Sequence, residues 1–491
     1  MTTELDTSWA TERNDSFSRE RANRVARNSV TSMDVMAAAR DISQMRTYHD
    51  TYGISIPKTG EVTNQRQSGR CWMFSAFNVA RQATMRFLDV DSFEFSQAYG
   101  MFYDKLEKAN ALFEHVIETA DKPTDSREVQ EILQEGMGDG GWYPFAMNII
   151  RKWGLVPKDA MPETACSKSS TQMDDQLDRV THKGAFELRA LAAGGAAADE
   201  LAARKQELLA GVHQILCVCL GEPPTTFDLE LKVGKDCKAD ASRLSPIVPD
   251  PKPRTSDTGD KDDRDDEKPQ QILRDAHLTP REFVRRYVPF DPDAYVALVS
   301  IPSRRFPYGR VYRVLRSDSV LGGLKTRCLN VAPEVLERAA IASLKDGRPV
   351  AMACDVMQQF PRHIEDFKHV LSTDAVDVSG LFGVDLDMDR AGMIDVCETE
   401  LTHAMTFQGV ELDAKGTPKA WRVENSWGKD AGKDGYLIMS ADWFCLYGGE
   451  VDAHRSYVSD ELLELWDDES RDVEVEPWSG MGRALGIRRR I

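Results

Sequence analysis

Four residues in this chain have types and settings suited to acyl transfer: Gln65, Cys71, His403 and Asn425. Cys71 lies in NQRQSGRCWMFSAF, where a polar approach containing Gly69 gives way to apolar residues at helical spacing, with Trp72 directly following. A cysteine in the first turn of a helix faces unpaired N–H groups and the positive end of the helix dipole. Both stabilise a thiolate, as does a protonated histidine nearby. A thiol packed as core beneath a helix would not call for so polar an approach. Gln65 stands six residues earlier, far enough for the loop to fold back and aim its amide beside the Cys71 N–H. Such a pair would make an oxyanion hole, in which one donor is worth about 10²–10³ in rate. Alone, Gln65 would read as a loop residue facing water; beside a nucleophile it does not.

His403, one of only nine histidines, opens a predicted strand in LTHAMTFQGVEL, and Asn425 ends the next one in WRVENSWG. A hairpin would set the two side by side. The asparagine amide oxygen could then accept from the imidazole and fix its orientation, with Trp427 screening that bond from water. A lone histidine among apolar residues is more often core; the second segment shifts the balance.

The elements that must position these residues divide the chain. Residues 1–60 read as an arm with helical patches. Residues 61–165 read as a helical lobe: a helix starting at Cys71, another beginning near Ser96, the glycine-rich break GMGDGGW, and a helix stopping at Gly154. Residues 166–292 form a helical insertion, with a long helix or helix pair over 183–220. Its 236–270 stretch is dense in Asp, Pro and Lys and short of apolar side chains, so it is expected to be loosely ordered. From 293 to 470, short apolar runs such as AYVALVS, RVYRVL, RPVAMACDV and DGYLIMS read as strands. Residues 471–491 form a tail. Helices first and strands later, converging on one site, indicate an α+β fold.

Composition narrows the function classes. The chain has 491 residues, too many for one undivided core, with 41% hydrophobic and 29% charged residues. Its formal net charge of -18 disfavours a nucleic-acid surface; Arg488, Arg489 and Arg490 are the one basic run. No stretch approaches the length of a membrane span, and the polar N-terminus lacks a secretory signal, so a cytoplasmic location is expected. Nine scattered cysteines, with no paired Cys or His spacing, predict free thiols and no metal or cofactor.

The blocks GRCWMFSA, THAMTFQGV and VENSWG resemble the Cys, His and Asn blocks of papain-like peptidases. FSQAYGMFYDKLEKAN, DGGW, VPKDAMPET, CLGEPPTTFD, LTPREFVRRYV and EPWSGMGRALG resemble stretches of the bleomycin hydrolase and bacterial aminopeptidase C family, over about residues 20–486. The resemblance implies Cys71 as nucleophile, His403 as general acid–base, Asn425 as orienting residue and Gln65 as oxyanion donor, with Gly69, Trp72, Trp427, Gly482 and Leu485 in support. It implies a two-lobed papain-like fold, a helical lobe plus a β-barrel-like lobe, carrying a large helical insertion. It also implies a homohexamer acting as an aminopeptidase on peptides with a free N-terminus, its C-terminal carboxylate pairing with the substrate's ammonium. Here the tail departs from the family's pattern. Ser479-Gly480 stand in place of Asp-Pro, Arg483 is inserted or substituted, and six residues follow Leu485. Self-cleavage near Leu485–Gly486 would restore a carboxylate. The departure leaves one rival, a broader cysteine endopeptidase or amide hydrolase; a second, independent of the tail, is a non-catalytic nucleic-acid-binding scaffold.

Overall fold

The computed structural model describes residues 4–247 and 270–486. At its centre is the helix Cys71–Leu88, fifteen of whose eighteen residues are buried. It packs on the helix Tyr143–Trp153 on one side and on the strand His403–Leu412 on the other. Ser75, one turn after the cysteine, donates its hydroxyl to the Met405 carbonyl. Further along, Arg81 forms a buried ion pair with Glu424, the residue preceding Asn425. The helix therefore carries Cys71 and is bolted to both strands that carry its partners.

Those strands belong to an eleven-stranded sheet among the described residues. Gly448–His454, Val350–Cys354, His403–Leu412 and Pro418–Glu424 are successive antiparallel neighbours within it. The apolar runs read from the sequence as strands lie at Tyr295–Val299, Arg310–Val314, Val350–Cys354 and Tyr436–Ser440. Two antiparallel helices, Thr171–Ala193 and Ala198–Leu220, account for the Ala/Leu-rich stretch. Cys217 and Cys219 lie within the second.

The insertion is not purely helical. Phe227–Val233, Gln271–Leu278 and Leu244–Pro246 form a three-stranded antiparallel sheet. Order therefore extends into the segment expected to be loose: Cys237, Ala239 and Leu244 pack partly buried against the main core, and Leu244–Pro246 pairs with Gln271–Leu278. Residues 248–269 of that segment lie outside the described residues.

Candidate active site

The Cys71 helix begins without a side-chain cap: Arg70 precedes it, and no side chain takes its first N–H groups. Arg70 is drawn away instead, forming a bidentate ion pair with Glu163 at 2.9–3.0 Å and donating to the Ser167 carbonyl. The uncapped end leaves backbone N–H groups directed at the sulfur. Burial pushes the Cys71 thiol up, while the N–H groups of Ala404 and Trp72 pull it down.

His403 opens its strand opposite Cys354. Its Nε2 lies 2.9 Å from Asn425 Oδ1, which also accepts the Ser426 N–H at 2.7 Å. An atom accepting a backbone N–H must be the amide oxygen, so His403 Nε2 carries the hydrogen and Nδ1 is left as the base. The Trp427 ring lies over the imidazole, with centroids 4.9 Å apart. Burial pushes the imidazole down to about 4. Each of these shifts penalises a lone charge; a thiolate and an imidazolium formed together offset most of that penalty.

Gln65 is buried in the loop before the helix, and this loop pairs with the loop after Asn425. Gln65 N–H donates to the Ser426 carbonyl at 2.7 Å, and Asn64 bridges to Trp427. The Gln65 amide is oriented at both ends: Oε1 accepts from the Ser426 hydroxyl at 2.6 Å and Nε2 donates to the Ser68 carbonyl at 2.6 Å. One of the two amide hydrogens is thus committed locally.

Asp139, which the sequence showed only as part of a glycine-rich turn, organises the entry to the helix. Its carboxylate accepts from the Gly69 N–H at 2.9 Å and from the Ser170 hydroxyl, and its carbonyl holds the Trp72 indole N–H at 2.8 Å. Lys105 lies buried 2.7 Å from it and 2.8 Å from Asp174. Burial opposes its charge, but Lys105, Ser170 and Gly69 hold Asp139 well below the usual carboxylate range. Gly141, two residues on, admits no side chain, because a Cβ there would sit 2.6 Å from the Trp72 ring.

The tail ends in this cleft. The short helix Gly480–Ala484 delivers Leu485, whose carbonyl accepts from the Trp142 indole at 3.1 Å, while the Ala484 carbonyl accepts from the Leu401 N–H at 2.9 Å. Gly482 sits where a Cβ would meet the Pro477 carbonyl oxygen at 2.2 Å. Gly486 has φ +64 and would collide with the Leu401 carbonyl oxygen if it bore a side chain. Cys71, Trp72, His403, Leu485 and Gly486 line one narrow cleft. Arg488–Arg490 lie outside the described residues.

Two further residues of this cleft, Glu450 and Asp452, escaped the sequence reading. The available signal was two acids at a period of two inside GGEVDAH, a run otherwise short of charge. Among the described residues no cluster of His, Cys, Asp or Glu could hold a metal ion, and no helix is long and apolar enough to cross a membrane.

Comparisons with known proteins agree with this geometry. The Peptidase C1-like family matches residues 4–247 and 256–482. Aminopeptidase G of Lactobacillus delbrueckii subsp. lactis is 34% identical over 481 residues, covering 98% of this chain and 100% of that protein. Human bleomycin hydrolase is 31% identical over 466 residues, covering 93% and 94%. The crystal structure of pepw from Lactobacillus rhamnosis HN001 superposes with a TM-score of 0.87 at 32% identity, covering 99% of each chain. With an uncapped helix presenting Cys71, a histidine oriented by Asn425 and a family match along nearly its whole length, the chain belongs to the Peptidase C1-like family of cysteine peptidases.

Proposed function

We propose that Cys71, His403, Asn425 and Gln65 carry out a cysteine aminopeptidase reaction on peptides with a free N-terminus. The Cys71 thiolate attacks the carbonyl of the N-terminal residue, and the oxyanion is met by the Cys71 N–H and the Gln65 amide. His403 gives its proton to the departing amine as the C–N bond breaks, leaving a thioester. It then takes a proton from water, which attacks the thioester, releases the amino acid and regenerates the thiol. Asn425 holds the ring so that Nδ1 serves both steps.

One observation carries the exopeptidase assignment: Leu485 and Gly486 occupy the same cleft as Cys71, so a substrate chain has room on only one side. The relatives named aminopeptidase G and bleomycin hydrolase support it. The test compares an aminoacyl fluorogenic amide with its N-acetylated twin. Cleavage of the free amine alone is the expected result, whereas equal cleavage of both would make the enzyme a broader cysteine hydrolase. Cys71→Ala should abolish hydrolysis of either substrate, and retained activity would refute the site.

Two finer features belong to the same proposal. The tail is trimmed near Leu485–Gly486 by the enzyme itself, which intact mass of wild type beside Cys71→Ala would reveal; a full-length wild type excludes it. The chain works as a homohexamer in the cytoplasm. Nine free thiols fit a reducing compartment, and light scattering and cell fractionation check assembly and location.

A further inference from the structure

The strand Gly448–His454 lies two strands from the one that opens with His403. With neighbouring strands about 4.8 Å apart, it runs roughly 10 Å from the strand of His403. Glu450 and Asp452 alternate along it on one face, opposite Ala353 and Ala351 of the intervening strand. Those small neighbours leave room above the sheet, and both acids line the cleft of Cys71, Leu485 and Gly486.

Each acid is only 4% exposed. Yet Glu450 Oε1 and Asp452 Oδ1 have no hydrogen-bond partner, and among the described residues no cation pairs with either. Tyr143, in the same cleft, is buried with its hydroxyl directed at Tyr295 and not at either acid. Burial pushes Glu450 up to about 7, and burial together with the charge of Glu450 pushes Asp452 well above the ordinary carboxylate range. Buried acids are ordinarily paired or hydrogen-bonded, because leaving them unpaired is costly. Two acids without a cation, both opening into the cleft of Cys71, have the composition of a cation site.

We propose that Glu450 and Asp452 form a cation subsite of the catalytic cleft that takes a positively charged nitrogen of the substrate's N-terminal residue. This rests on the aminopeptidase reading, which places that residue in the cleft. The nitrogen is either the α-ammonium or the basic side chain of an N-terminal Arg or Lys. In both cases the carboxylates exchange their raised, proton-holding state for a charge-assisted hydrogen bond to the substrate.

Three fluorogenic amides separate these cases: arginyl, norleucyl and N-acetyl-norleucyl. They are assayed on wild type, Glu450→Gln, Asp452→Asn and the double variant. Discrimination by a basic side chain predicts that the arginyl-to-norleucyl ratio of kcat/KM falls about ten-fold or more, the loss of one charge-assisted contact. Discrimination by the α-ammonium predicts that arginyl and norleucyl substrates fall together by that factor, so the ratio of free-amine to acetylated norleucyl substrate falls. Either result supports the subsite. If both ratios stay within about two-fold of wild type in folded variants, as judged by thermal melting, the proposal fails. The single variants keep the test open should the double variant not fold. Failure of the aminopeptidase reading itself would show separately, as wild-type cleavage of the acetylated substrate.

Discussion

Two groups of acids lie around the site of Cys71, and they are built in opposite ways. On one side, Asp139 and Asp174 share Lys105 at 2.7 and 2.8 Å, with Ser170 and the Gly69 N–H completing the shell. On the other, Glu450 and Asp452 lie on a neighbouring strand with no cation at all among the described residues. The first group carries its own counter-charge and fixes backbone: it pins Gly69 and Trp72, and through them the start of the Cys71 helix. The second fixes nothing, since neither carboxylate holds another part of the chain. A buried charge with a partner does structural work; one without a partner in a cleft is poised for something that arrives later.

The comparison breaks most visibly at Lys105. Replacing it with methionine keeps the bulk and removes the cation, leaving Asp139 uncompensated. Loss of one member of a buried ion cluster destabilises by roughly 3–5 kcal/mol, read as a lower urea midpoint. An unchanged midpoint would mean that Asp139 and Asp174 simply take up protons and that the cluster is not structural.

The opposite sign is expected from Glu450→Gln with Asp452→Asn. For Glu450 the folded value, about 7, lies above the ordinary glutamate value. The folded chain therefore binds more protons than the unfolded chain between those values, and this acid's contribution to stability declines as pH rises from about 4.5 through 7. The variant escapes the decline. It should equal wild type near pH 4 and exceed it at pH 8 by up to about 3 kcal/mol, the full shift at 1.36 kcal/mol per unit. A variant less stable than wild type at pH 8 would show that the acids already have a partner.

Asp139→Asn comes next in size. The amide oxygen can still accept from Gly69, but the charge facing Lys105 is gone. A loss of about 1–3 kcal/mol is expected, with kcat reduced about ten-fold as the helix start shifts by a fraction of an ångström. Unaltered kcat in the face of lost stability would confine Asp139 to a purely structural part.

Much of the site was legible in the sequence because its chemistry is local. Cys71 stands at a change from polar to helical apolar spacing. His403 and Asn425 bound a predicted hairpin, and the observed His403–Asn425 hydrogen bond follows from that pairing. Helix over 183–220 and the stop at Gly154 were equally plain from period and glycine, although one long helix or a pair stayed open and the start at Thr171 was not read. What remained hidden depends on distant pairing. Asp139 matters through Lys105 and Gly69, thirty-four and seventy residues away, and nothing near it announces those contacts. Glu450 and Asp452 acquire meaning only from the sheet order that sets their strand beside Val350–Cys354. Leu244–Pro246 pairs with a strand beyond a long polar segment, so its own composition gave no hint of a sheet.

The smallest effect concerns Cys71 and His403, two buried groups whose burial disfavours charge on either alone. The tail helps to bury them, since Leu485 and Gly486 line their cleft. Removing residues 485–491 admits water to both. Burial now pushes the Cys71 thiol up and the imidazole down. Hydration reverses each, so the acid limb of kcat/KM should move to lower pH and the alkaline limb to higher pH. The bell widens from both sides, each limb by about one pH unit or less. A truncated enzyme whose limbs do not move would mean that the lobes alone, not the tail, set the environment of the pair. Limbs that moved in the same direction would point instead to a change in the net charge around the cleft, and Glu450 and Asp452 would be the groups to examine.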